Sequence, residues 1–430
     1  MSAFSAEYRS KLVTIDDVLD LFRDGDVFSN SQCAGEPNTF LDNLHKLHGK
    51  VSGLTMLDGL TMREHPFMVD PQYDGLVYIN SNFMMGPARK AAALGRLSYN
   101  PGDLHNNAGR WLEYHKPRIF VGMVAPMDDH GFFTMSMCLI HEMEALEAAD
   151  IVVLEVNPRL PRVFGDTEIH IRDVDYLVEV NTPLPILPKS VPNPAEQEIG
   201  RYIAGLIQDG DCIQLGIGGI PDAISQELMG KHDLGVHTEM INTGMVELAK
   251  AGVINGKKKN LNRGKLVADF AMGEQSLYDY LDMNPSILIK RGTYVNNPMV
   301  IMQNDNMVSV NTALSVDLTG QVCSESIGQR QYSGVGGQFD TAFGAMHSKN
   351  GRAIIALEST RKNGTISNIV PALSLGSVVS LSRNCLDYVV TEYGIARMRG
   401  ANVRERIEAL ISVAHPDFRA ELRREAQRIL

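Results

Sequence analysis

The chain has 430 residues, a length that predicts two domains rather than one core. Hydrophobic content of 44% and charged content of 21% are those of an ordinary soluble globular protein, and a net charge of −11 argues against a nucleic-acid partner. Five scattered cysteines (Cys33, Cys138, Cys212, Cys323, Cys385) lack a C-x-x-C spacing, which points to a reducing compartment without disulfide framework or zinc site.

Met1 to Asp17 lacks the charged-then-apolar order of a signal peptide, and no apolar run approaches the ~20 residues of a membrane span. The expected location is cytoplasmic, with no membrane partner. Residues 7–24 carry a helical apolar face (Leu12, Val13, Val18, Leu19, Leu21, Phe22), then turn at Asp24-Gly25-Asp26 into extended Val27–Ser29. Ser31-Gln32-Cys33-Ala34-Gly35-Glu36-Pro37 reads as a loop entering a helix. From Leu54 to Pro126 short strands alternate with helical spans such as 86–98, the βαβ order of a mostly parallel sheet. Asp103 to Trp111 reads as a polar loop whose His105 and Arg110 could hold a carboxylate, since Arg pairs bidentately with carboxylates. Asp128-Asp129-His130-Gly131 and the His45/His48 pair invite a metal reading, but neither converges on one ion with a second cluster, and no metal is expected.

Five prolines between residues 183 and 194 form a connector that cannot be helix or sheet interior. The expected organisation is therefore an α/β domain over 1–185, a Pro-rich linker over 186–195 and a second α/β domain over 196–430, both open with mostly parallel sheets. In the second, Cys212–Leu215 reads as a strand running into Gly216, Gly218 and Gly219, with Pro221 in the first turn of a helix. Such a turn leaves backbone N–H groups free to hold an anion or oxyanion. A P-loop would need Gly-Lys-Ser/Thr where Ile220 and Pro221 stand, and a dinucleotide fingerprint would need a glycine at Pro221. Glu239 in His237-Thr238-Glu239-Met240-Ile241-Asn242-Thr243-Gly244 falls at the end of the next strand, on the same crevice edge as the glycine turn. A carboxylate beside preset donors suits acyl transfer. The basic run Lys257-Lys258-Lys259 with Arg263 and Lys265 reads as a solvated loop that could steer a phosphate.

A second glycine loop, Gly334-Val335-Gly336-Gly337-Gln338-Phe339-Asp340, joins these motifs. Together they resemble the acetyl-CoA hydrolase/CoA-transferase family, the class I CoA-transferases. Gly35-Glu36-Pro37, Glu155-Val156-Asn157-Pro158, Asn311-Thr312-Ala313-Leu314, Asp317–Gln321, Thr391-Glu392-Tyr393-Gly394 and Ala414–Arg419 extend the match over nearly the whole chain. The resemblance implies tandem halves of the NagB/RpiA/CoA-transferase-like α/β fold, no tightly bound cofactor, coenzyme A as a substrate and at least a homodimer. It implies Glu239 as nucleophile, with Gln214, Gly216, Ile217, Gly218, Gly219, Ile220, Gly336, Gly337 and Gln338 as oxyanion and CoA-binding residues. Arg361 or Lys362 matches a basic CoA-binding residue, while Asn368 stands where relatives usually carry a second cation. Gln32, Gly35, Glu36, Arg89, His105 and Arg110 are the candidate acyl and acceptor pocket, and Gln32 replaces a histidine frequent in relatives.

The implied reaction moves CoA between small acids of two to five carbons through a glutamyl-CoA thioester. A free glutamate has a pKa of about 4.3, so Glu239 is expected to be ionised at neutral pH. A thioester hydrolase on the same scaffold differs only in whether water reaches the intermediate. A nucleotide-binding module without chemistry would have no use for an apolar-flanked carboxylate at that strand end. Gln32 and the His105–Arg110 segment lean the acceptor toward a dicarboxylate such as succinate or itaconate, with 4-hydroxybutyrate or butyrate the open alternative.

Overall fold

The computed structural model describes residues 4–430. The chain forms two compact units, one running to Leu187 and taking in Ala268–Tyr294, the other made of Pro188–Val267 and Val295–Leu430. Segment 268–294 thus goes with the first unit, although it lies beyond the linker in sequence.

The first unit holds strands β1 (Val27–Asn30), β2 (Leu54–Asp58), β3 (Val77–Ser81), β4 (Leu97–Tyr99), β5 (Ile119–Val124), β6 (Ile151–Val156) and β7 (Tyr176–Glu179). They lie in the order β4-β3-β2-β1-β5-β6-β7, and every pairing is parallel. β5 is buried at every position, the apolar run expected of a strand covered on both faces. Phe22, Phe28 and Phe40 stack and edge-pack with centroids 5.4–5.8 Å apart, beside the buried Leu41, Leu44 and Leu54. On β6 the buried Glu155 carboxylate accepts from the amides of Phe40 (2.6 Å) and Thr39 (3.3 Å). These are first-turn amides of helix α1 (Asn38–Asn43), so a strand acid caps the helix that follows the 31–37 loop.

Two local expectations are corrected. Thr14 forms a capping box with Asp17, so the amino-terminal helical span breaks into Ser5–Lys11 and Ile15–Leu19. Asp103–Trp111 is not a loop: helix α2 (Leu104–Tyr114) occupies it, burying Leu104, Asn107, Ala108, Trp111 and Leu112. The i, i+4, i+7, i+8 apolar stripe 104, 108, 111, 112 decides the outcome, and Asn107 sits within it as a buried polar residue.

The second unit contains β8 (Cys212–Leu215), β9 (Gly235–His237), β10 (Leu266–Ala268), β11 (Met307–Thr312), β12 (Arg352–Ala356), β13 (Tyr388–Thr391) and β14 (Gly394–Arg397). The order β10-β9-β8-β11-β12-β13-β14 is parallel up to β13, with β14 returning antiparallel. Helix α3 (Pro194–Leu206) opens the unit on an Asn193–Glu196 capping box with Pro194 at its start. Against it packs α4 (Gly219–Glu227), the helix that follows the first glycine turn. Gly200 on α3 makes that approach possible, because a Cβ there would lie 2.8 Å from the Ala223 Cβ and 2.9 Å from its carbonyl carbon. Among the described residues no helix is long and apolar enough to cross a membrane.

Gly200→Val would force α3 off α4. The variant is expected to lose about 1–3 kcal/mol of stability in urea unfolding, the usual cost of overpacking, whereas Gly205→Ala, which meets no neighbour, should not.

Candidate active site

The carboxyl ends of β8 and β9 bring two of the sequence motifs together. After Leu215 the chain turns at Gly216, and Gly218 adopts φ +108°, a conformation that favours glycine, before α4 begins. No side chain caps the α4 amino terminus, and Ile217 and Gly218 are exposed while Ile220 is buried. Gly219 has no room for a side chain, since a Cβ would run into the Glu196 carboxylate that closes the α3 capping box. The loop after β9 is tied to this turn: Asn242 Nδ2 donates to the Gly216 carbonyl at 3.2 Å.

Glu239 lies in that loop, half-buried, between fully buried Thr238 and Met240. Its Oε2 accepts from the Gly337 amide at 2.8 Å. Gly336 turns the second glycine loop at φ +54°, and Gly337 precedes helix α5 (Gln338–His347). A Cβ on Gly337 would collide with the Glu239 carboxylate and with Asn296 Oδ1, so a side chain here would push the carboxylate away from this amide. Desolvation pushes the Glu239 carboxyl up to about 7; the Gly337 N–H opposes the rise and the charge of Asp340 adds to it. This corrects the expectation of a fully ionised glutamate at neutral pH: near pH 7 it is shared between acid and anion.

The remaining candidates of this unit are placed less directly. Gln338 Nε2 donates to the Thr312 carbonyl at 2.9 Å, while its buried Oε1 has no partner. Gln214 is an interior hub: its Oε1 accepts from Ser309 Oγ (2.9 Å) and the Val310 amide (3.2 Å). Arg361 and Lys362 sit on the exposed hairpin whose strands Thr360–Arg361 and Ile366–Ser367 pair. Arg361 Nη1 donates to Asn368 Oδ1 at 2.6 Å, so the asparagine standing in the place of a second cation orders the first one. The basic run lies before β10, at the amino end of the sheet, opposite Glu239. Lys259 is buried there, donating to the Val236 and Lys265 carbonyls at 2.7 and 3.0 Å.

In the first unit, Gln32, Gly35 and Glu36 follow β1 in a fully buried loop. The Leu60 amide donates to Gln32 Oε1 at 2.8 Å, which fixes the amide so that its Nε2 faces His141 Nε2 at 2.7 Å. His141 therefore accepts through Nε2 and carries its proton on Nδ1, and burial lowers its pKa to about 4. An imidazole thus stands beside position 32 although position 32 itself is glutamine. Nothing in the local sequence around His141 signals this, because 109 residues separate the partners. Glu36 accepts from the Met62 amide at 3.0 Å; burial and the neighbouring buried Asp58 hold its carboxyl protonated well above the usual range. Arg89 donates to the Met84 carbonyl, and His105 and Arg110 ride on α2, outside the Gln32–Glu36 cluster.

Comparison with known proteins identifies the family. The acetyl-CoA hydrolase/transferase N-terminal domain matches residues 2–188, and the C-terminal domain of the same family matches residues 273–426. The 4-hydroxybutyrate coenzyme A transferase of Clostridium kluyveri is 42% identical, covering 97% of each chain. The succinyl-CoA:cyclohexane-1-carboxylate CoA transferase of Geobacter metallireducens is 40% identical over 99% of this chain and 97% of its own. The crystal structure of RipA from Yersinia pestis superposes with a TM-score of 0.94 at 34% identity, covering 99% of this chain and 98% of that one. Acetyl-CoA hydrolases match more distantly, at 26% over 65% of the chain for that of Candida albicans. Two glycine turns around a glutamate and full-length similarity to CoA-transferases lead to one conclusion: the chain belongs to the acetyl-CoA hydrolase/transferase family and is a CoA-transferase.

Proposed function

We propose that Glu239 is the nucleophile of a ping-pong CoA transfer between a small acyl-CoA and a free acid of two to five carbons. The observation that carries the reading is the 2.8 Å contact of the Gly337 amide with the Glu239 carboxylate, in a setting whose desolvation raises the carboxyl to about 7. A glutamate oxygen attacks the thioester carbonyl, the C–S bond breaks, and an acyl-glutamyl anhydride and CoA thiolate result. The thiolate attacks the glutamyl carbonyl and expels the first acid, leaving a glutamyl-CoA thioester; the incoming carboxylate reverses both steps. The Gly337 amide that holds the resting carboxylate is placed to take the oxyanion when the glutamyl carbon becomes tetrahedral, and the uncapped α4 amides offer a second group of donors. The relatives that match over the full length are transferases, which favours transfer over hydrolysis. Activity in the cytoplasm as a homodimer or higher oligomer, with the Arg361 hairpin assisting CoA binding, completes the proposal.

Mixed with an acyl-CoA and no acceptor, the wild type should gain the mass of CoA less water, and Glu239→Ala should gain nothing. Steady release of free CoA without an adduct would instead identify a hydrolase.

Because attack requires the anion and the carboxyl is raised, the rate of adduct formation should climb about tenfold per pH unit below about 7 and level off above it. Asp340→Asn removes a charge that raises Glu239, so the rising limb of its adduct-formation rate should move to lower pH when both proteins are followed by stopped flow.

Gly337→Ala should lower kcat/KM by roughly 10²–10³, the worth of one oxyanion donor, through the clash of its Cβ with the carboxylate.

A further inference from the structure

The second unit carries a pocket of about 480 Å³ that the site around Glu239 does not use. Its lining comes from three segments that lead into strands: Asp209-Gly210 before β8, the 257–263 loop before β10 and Asp305-Asn306 before β11. These strands run parallel, so the pocket lies at their amino ends, whereas Glu239 and the first glycine turn follow the carboxyl ends.

Four cations line the pocket against two acids, in a chain whose net charge is −11. Two of these charges are answered by neighbours outside the lining: Lys257 pairs with Asp233 at 2.6 Å, and Asp305 with Lys349 at 3.6 Å. Three cations are left. Lys258 is exposed and makes no hydrogen bond or salt bridge among the described residues. Arg263 is held through Nε alone, which donates to the Lys257 carbonyl at 2.7 Å, so its outer guanidinium nitrogens are open. Lys259 is 5% exposed and donates to two carbonyls, yet no carboxylate pairs with it. A buried cation without a counter-ion is disfavoured, and burial lowers the Lys259 pKa accordingly. Against these three stands Asp209, which faces His232 at 3.4 Å.

The loop is also built, not a loose run of lysines. The Gly264 and Lys259 amides both donate to the Gly256 carbonyl, at 3.0 and 3.2 Å, and Asn260 Oδ1 accepts from the Asp305 amide at 3.0 Å. Gly210, at φ +84°, leaves room for the Lys258 stem: a Cβ there would lie 3.4 Å from Lys258 Cγ.

We propose that this pocket is a second ligand site, which takes the phosphate groups of a nucleotide-sized molecule. Lysine is a point-charge partner for phosphate, and the arginine fork binds two of its oxygens. A carboxylate, with one charge and two oxygens, would satisfy fewer of the three cations. The volume falls in the range of small-molecule sites and exceeds what a bare ion needs. Because the strands stand between the pocket and Glu239, the ligand is additional to the reacting thioester, and the site does not depend on the transfer reading.

The test is isothermal titration calorimetry of the full-length protein with ADP, with saturating coenzyme A present throughout. ADP should bind, and more weakly as salt rises. Lys258→Gln and Arg263→Gln should each weaken it about ten- to a hundredfold, the range for hydrogen bonds to a charged group. Inorganic phosphate should bind more weakly than ADP. Lys258 holds no other group in place, so Lys258→Gln stands alone if Arg263→Gln disturbs the loop. Absence of ADP binding beside coenzyme A, or unchanged affinity in Lys258→Gln, would overturn the proposal. So would a raised KM for acyl-CoA in Lys258→Gln, which would make the pocket part of the substrate site, or phosphate binding as tight as that of ADP, which would leave only a bare-ion site.

Discussion

The contact between the Gly337 amide and the Glu239 carboxylate is the constraint around which the second unit is arranged. It joins two loops 98 residues apart in sequence, and a side chain at Gly337 would displace the carboxylate that its amide holds. Each side of the contact is braced. On one side, Asn242 ties the Glu239 loop to the first glycine turn, and Gly200 lets α3 lie close enough to hold α4 behind it. On the other, Gln338 anchors the start of α5 to the end of β11. A carboxylate and its donor are thereby held by rigid elements rather than by loop flexibility.

The electrostatics of the contact are a balance of opposed effects. Desolvation and Asp340 disfavour the anion, and a single amide favours it. A fully stabilised carboxylate would be a poor nucleophile, whereas one held near its midpoint at neutral pH is available and reactive. Keeping it so costs folding stability above the carboxyl's raised pKa, where the chain must bury a charge with one donor, a trade common at reactive sites.

Local chemistry was legible in the sequence where spacing alone dictates it. The Gly216–Gly219 turn and its helix and the parallel alternation of both halves follow from glycine, proline and apolar periodicity. Helix α2 escaped because its first turns are Asp, Leu, His and two Asn, which conceal a four-residue apolar stripe. The ionisation of Glu239 escaped for a different reason: burial is a property of the assembled unit, and no flanking residue encodes it. His141 beside Gln32 is the extreme case, a pairing fixed by the sheet edge alone. The glycine loops reveal where an oxyanion could be held, because the unpaired amides belong to the turn itself.

The first unit is also discontinuous, and this bears on how the protein is made. Its last segment, Ala268–Tyr294, leaves the ribosome only after Pro188–Val267 has been synthesised. At the usual 5–20 residues per second, the 107 residues from Leu187 to Tyr294 take on the order of 5–20 s. Throughout that interval the nascent amino-terminal unit lacks its last segment, although every strand of its seven-stranded sheet has already been made. Vectorial synthesis therefore gives this protein a waiting period that a strictly tandem pair of domains would not have.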